Sequence, residues 1–140
     1  MASEFDFEKF RLRTFVDHIV ELGEVDVVDG PTPLTKMSEI IESGPQAVLF
    51  KNAGPESHEV IAKSMGSRAR VAAAFGTTYD HVHEEYHRRL ANPKKAVEIP
   101  GDEAPVRAVV ITGDDIDLTR LPFHPQHEFD GSCYISCGID

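Results

Sequence analysis

Residues 83–87 read His-Glu-Glu-Tyr-His, the H-E-x-x-H spacing. On a helix it places two imidazoles on one face, where they can hold zinc while the glutamate activates water. Thr77 or Thr78 supplies an N-cap and Asn92-Pro93 a stop, so a helix is expected to run through Leu90 and carry the motif. A small zinc hydrolase working through His83, Glu84 and His87 is therefore one reading. The flanks favour a plainer one. A catalytic zinc helix lies among apolar residues and takes a third ligand from elsewhere, whereas this one continues as Arg88-Arg89. Tyr79, Val82, Tyr86 and Leu90 recur three or four residues apart on a different face, as in a surface amphipathic helix whose polar side carries histidines. With seven histidines in 140 residues, a chance match is unsurprising. Casual affinity for a metal such as nickel is the intermediate case.

The other chemistry-bearing residues divide in the same way. His124 and His127 straddle Pro125-Gln126 in a loop, where they either line a pocket or serve structure and solvent. Gly66-Ser67-Arg68-Ala69-Arg70 opens a helix, and its amides and two arginines suit an anion as well as they suit capping and surface charge. Asp114, Asp115 and Asp117 are spaced somewhat like a calcium loop, but the glycine at position 6 and glutamate at position 12 are missing, which excludes an EF-hand. Cys133 and Cys137 stand four apart in an expected strand, a span of about 13 Å, too far for a disulfide. They read as small strand residues. Neither a P-loop, a GxGxxG nor a Ser/His/Asp arrangement occurs.

Composition bounds what remains. One domain's worth of chain, 41% hydrophobic and 27% charged, is ordinary for a soluble globular protein. A net charge of −10 argues against nucleic acid, whose phosphates need a basic face, and gives no reason to expect an anionic membrane. No apolar run approaches the ~20 residues that span a bilayer, and the acidic N-terminus lacks a signal-peptide core, so a cytoplasmic location is expected.

The elements that would position these residues follow from periodicity and punctuation. Asp6 to Leu22 reads as a helix with Leu12, Phe15, Val16, Ile19 and Leu22 as its apolar stripe and Gly23 as its C-cap. Strands are expected at Glu24–Val28, Ala47–Phe50 and Val60–Ala62, then at Ala96–Ile99, Arg107–Thr112 and Ser132–Ile139. Helices are expected at Thr35–Ser43, at Arg68–Phe75 with Ser67 as N-cap and Gly76 as stop, and from Thr77 or Thr78 to Leu90. The alternation predicts an α/β (α+β) domain, a small mixed sheet flanked by about four helices. The last strand is cut off by the end of the chain. Taken alone, these residues describe an acidic α/β domain that is unfinished at its C-terminus, and no reaction.

Several segments in register resemble the N-terminal part of the UbiD family of (de)carboxylases. Phe10-x-x-x-x-Phe15-Val16 followed by Gly23-Glu24 looks like the family's opening, and Gly44-Pro45-Gln46-Ala47-Val48-Leu49-Phe50-Lys51-Asn52 like one of its strands. Ser64-Met65-Gly66-Ser67-Arg68-Ala69-Arg70-Val71-Ala72-Ala73-Ala74-Phe75-Gly76 is the most specific match. Ala104-Pro105-Val106 through Leu121-Pro122 is similar to the family's following segment, and Gly131 to Gly138 to the strand entering its cofactor domain.

The resemblance implies a prenylated-FMN enzyme that reversibly decarboxylates aromatic, heteroaromatic or α,β-unsaturated carboxylic acids, the modified flavin acting as electron sink. It implies manganese and potassium at the flavin phosphate, a Glu–Arg–Glu acid/base network and a homo-oligomer. All of those residues fall beyond the region matched, so no catalytic residue and no metal ligand is carried over, and no cofactor is expected on this chain by itself. Ser136 is the nearest candidate for lining the cofactor pocket. Residues 1–120 would form the N-terminal domain and 121–140 a linker plus the first strand of an absent flavin-binding split barrel. Arg68 and Arg70 would serve packing or a domain interface. The alternative is a naturally short, non-catalytic subunit or interaction domain of a multisubunit carboxylase, its last strand pairing with a larger partner.

Overall fold

The computed structural model describes Glu8 and residues 11–127 and 129–133. Its centre is β2 (Ala47–Ala53), in which Ala47, Val48, Leu49 and Phe50 are consecutively buried. An unbroken apolar run of this length cannot show one face to water, so it requires cover on both sides. To one side β2 pairs in parallel with β1 (Val25–Thr32), and to the other antiparallel with β3 (His58–Ala62), giving a three-stranded mixed sheet in the order β1-β2-β3. β1 is longer than the expected Glu24–Val28 because β2 carries it through Gly30-Pro31, with the register shifting between Val28 and Pro31. A proline that cannot donate to the ladder is tolerated on an edge strand at such an irregularity.

The parallel pair is joined through α2 (Leu34–Glu42), whose Met37 is fully buried against Val48, Phe50 and Ala53. Val28, Leu34, Ile40, Ile41, Val60 and Ala62 complete that half of the core. The opposite face, carrying Leu49 and Ile61, meets α1 (Leu12–Glu21) across a groove reaching Leu12 and Val16. Val16 and Ile19 are the buried members of the expected α1 stripe, while Leu12 and Leu22 stay exposed. α3 (Arg68–Phe75) packs beside α1 and buries Ala72, and α4 (Val82–Leu90) follows a 3-10 turn at Tyr79–His81.

Both glycine stops close as the sequence predicts. Gly23 adopts φ +73°, and the Gly23 and Glu24 amides donate to the carbonyls of Val20 and Ile19. Gly76 repeats the arrangement at φ +64°, with Gly76 and Thr77 donating to Ala73 and Ala72. This double bond over a left-handed residue satisfies carbonyls that a helix end otherwise leaves open.

Two expected strands do not form. Ala96–Ile99 is irregular, and the stretch expected as a strand over Arg107–Thr112 lies between 3-10 turns at Pro105–Arg107 and Gly113–Asp115, with a third at Leu118–Arg120. Their β-branched residues suit a strand, but a strand also needs an edge to pair with. Among the described residues these segments find none. Val106, Val109, Val110 and Ile111 are 85%, 78%, 66% and 59% exposed. Of the expected final strand, Ser132 and Cys133 are described and are not in a strand, and residues 134–140 lie outside the described residues.

Phe50 is the largest apolar side chain that is fully buried. Phe50→Ala should lower unfolding free energy by about 3–5 kcal/mol, read as a fall in urea midpoint at constant slope. A loss below ~1 kcal/mol would mean that the core is not organised around β2.

Candidate functional site

α4 carries His83 and His87 on its exposed side, their rings edge-on with centroids 4.3 Å apart. The would-be base does not join them, since Glu84 accepts from His81 Nδ1 at 2.8 Å and is itself exposed. Glu85 faces the other way, accepting from Arg88 at 2.6 Å and from Arg89 at 2.8 Å. Those bonds, to Arg88 first and then Arg89, hold its carboxyl down at about 2. Among the described residues no group of three or more His, Cys, Asp or Glu converges as a metal site. The hydrolase reading through His83, Glu84 and His87 therefore lacks a third ligand and a free base there.

The apolar face of α4 is only partly covered. Tyr86 lies 6.4 Å from Phe75 of α3, and Val82 is half-buried, whereas Tyr79 and Leu90 remain mostly exposed. Arg89 closes the junction, stacking over Phe75 at 4.8 Å and donating to its carbonyl at 2.6 Å.

The start of α3 holds the most buried charge. Ser67 caps the helix as expected, its hydroxyl accepting from the Arg70 amide at 3.1 Å. The guanidinium of Arg70, 1% exposed, donates to Glu24 Oε2 at 3.0 Å, to the Glu24 carbonyl at 3.4 Å and to the Pro45 carbonyl at 3.1 Å. Its Nε has no partner. Arg68 is also committed, donating to the Tyr79 carbonyl at 3.0 Å and lying over the Tyr79 ring at 5.0 Å. Nearby, Lys63 takes a left-handed φ of +56° and donates from Nζ to the carbonyls of Ile41 and Gly44. The two arginines that suggested an anion site thus hold segments of the domain together. The missed residue is Glu24. Its only signal in the sequence is an acidic side chain where the chain enters its first strand, which looks the same as a solvated one.

Asp117 accepts from the amide and hydroxyl of Thr119, which keep its carboxyl below the ordinary range, so it is a turn cap. His124 and His127 border a shallow cavity of about 210 Å³ with Ser38, Ile41 and Glu42 of α2. Ser38 donates to the Pro125 carbonyl at 2.8 Å, and Asp130 accepts from the Gln126 and His127 amides, both at 2.9 Å. Upstream, His58 donates to the Arg120 carbonyl at 2.8 Å and Arg120 pairs with Glu56 at 2.9 Å. Arg120 and Pro125 are thereby tied to the domain, while the Asp130 bonds close the turn that carries His127. Cys133 is exposed, and Cys137 and Ser136 lie outside the described residues.

Residues 22–90 match the family model of the 3-octaprenyl-4-hydroxybenzoate carboxy-lyase N-terminal domain. The matched span runs from the end of α1 to the end of α4, so it takes in the whole sheet, the Glu24–Arg70 pair and the H-E-x-x-H helix. This chain carries a UbiD-family N-terminal domain. Members of the family are decarboxylases. No helix among the described residues is long and apolar enough to cross a membrane.

Two measurements follow. Glu24→Ala removes the carboxylate partner of a buried guanidinium, leaving it two backbone carbonyls, and should destabilise the domain by about 3 kcal/mol, while the double variant with Arg70→Met recovers part of the loss. Additive losses, the double variant losing the sum of the two single variants, would show that the pair is not coupled. The Glu85 carboxyl, followed by NMR, should titrate near its depressed value of about 2 and not near 4.5. Because the folded value is the lower one, the stabilisation is complete above ~4.5 and is lost as pH falls from there toward 2. A midpoint above 4 in low salt would break the assignment of both arginines to it.

Proposed function

We propose that this chain is the N-terminal domain of a UbiD-like carboxy-lyase that reversibly decarboxylates aromatic, heteroaromatic or α,β-unsaturated carboxylic acids with prenylated FMN. The family match over residues 22–90 carries this reading. Manganese and potassium would sit at the flavin phosphate in the remainder of the parent, which would be a cytoplasmic homo-oligomer. Residues 1–120 would pack beside the flavin domain, and 121–140 would lead into it with Ser136 lining the pocket. The 140-residue chain alone would not catalyse the reaction. Two features support a packing role. Arg70, Arg68 and Lys63 are occupied in holding the domain. The exposed run Val106, Val109, Val110 and Ile111 offers the strand-prone apolar surface that an adjoining domain would cover.

The same surface favours a second reading, a naturally short non-catalytic subunit that pairs with a larger UbiD-like chain. Expression of the 140-residue chain beside the complete reading frame separates the two. The complete frame should take up prenylated FMN and release CO₂ from a panel of aromatic and unsaturated acids, while the 140-residue chain should show neither flavin absorbance nor turnover. CO₂ release by the short chain alone would overturn the proposal. A reading frame that ends at Asp140, with co-purification of a larger homologue, would establish the subunit reading in its place.

A further inference from the structure

We propose that His83 and His87 form a two-imidazole chelate for a borderline divalent transition-metal ion, such as zinc, nickel or copper, on the outer face of α4. Residues four apart on a helix stand one above the other, about 5–6 Å apart at Cβ. Here that spacing brings the two rings to 4.3 Å between centroids. Both side chains are exposed, and among the described residues neither ring makes a hydrogen bond that metal binding would have to break. Rotation about the free side-chain torsions can then point one nitrogen of each ring at a shared ion about 2.0–2.1 Å away.

The electrostatics around the pair permit a cation. Arg88 and Arg89 follow the motif, but Glu85 accepts from both, so their charge is locally offset. Glu84 and Asp80 add negative charge on the same segment, within a protein of net charge −10. Two imidazoles leave at least two positions of a tetrahedral ion for water or for a donor from another molecule. Glu84 is engaged with His81, so the site binds a metal without hydrolytic chemistry. Imidazole donors select zinc, copper and nickel over magnesium, calcium and manganese, whose preferred donors are oxygens. The site is therefore separate from any manganese held by the parent enzyme, and it does not depend on the carboxy-lyase reading.

The test is calorimetric titration of the purified 140-residue chain with Zn²⁺ or Ni²⁺ alone. One saturable site per chain is expected, unaffected by excess Mg²⁺ or Mn²⁺. Because chelation makes the second contact intramolecular, His83→Ala and His87→Ala should each weaken binding by roughly 10- to 100-fold. His81→Ala and His124→Ala should leave it unchanged. Far-UV circular dichroism without metal checks that each variant keeps its helix, with His83→Gln and His87→Gln as replacements if an alanine variant does not. Absence of a saturable site in the unmodified chain would overturn the proposal, as would affinity that survives loss of both histidines or that follows His124 instead.

Discussion

A guanidinium taken out of water must find its acceptors wherever it is buried, and Arg70 finds them in two separate segments. Glu24, where the chain leaves α1 for β1, supplies a carboxylate and a carbonyl, and Pro45, just before β2, supplies another carbonyl. The residue itself sits in the first turn of α3. One side chain therefore ties the entry points of both parallel strands to the helix that follows β3. Replacing such a pair with well-packed apolar groups is often close to neutral, whereas removing one partner is costly. What the pair contributes here is placement. It sets where α3 begins relative to the sheet, and Ser67 and Gly66 are drawn in with it, Gly66 so closely that an added Cβ would come within 3.2 Å of the Arg70 guanidinium.

That placement engages the charged groups at the start of α3 in structure. The domain's buried charge, its capping serine and its turn aspartates are spent on local structure. Val106, Val109, Val110 and Ile111 stand exposed after α4, on a stretch whose backbone is held only in 3-10 turns and whose side chains favour strand. Strand propensity is largely a statement about fitting a pleated, half-buried surface. Val109, Val110 and Ile111 have that propensity without the surface, which is the physical reason the expected strand is absent among the described residues.

Much of the fold was legible because it is local. Ser67 and Gly76 bound α3 where capping chemistry puts them, Gly23 ends α1, and the unbroken Ala47–Phe50 run identified the buried strand. The errors came where a partner decides. β1 and β2 extend each other past their apolar cores, and β3 begins two residues early at His58 because Ala53 offers it a pairing position. At the candidate site, the H-E-x-x-H spacing was plain, but whether Glu84 faces the histidines or His81 is a matter of rotamer and neighbours. Arg70 was visible as a charge near a helix start. Its burial and its partner 46 residues away were not.

The sequence by itself determined the helices, their stops, the central strand and, through segments in register, the family resemblance, because each depends on residues within a few positions of one another. Only the tertiary structure decided the roles of the charged groups. An arginine at a helix start can bind an anion, meet solvent or cross the domain to a glutamate, and the choice depends on what folding brings within about 3 Å. The histidine helix divides along the same line. The sequence placed His83 and His87 on one face, and the fold left that face open to solvent, with two ligands for a metal and no third among the described residues.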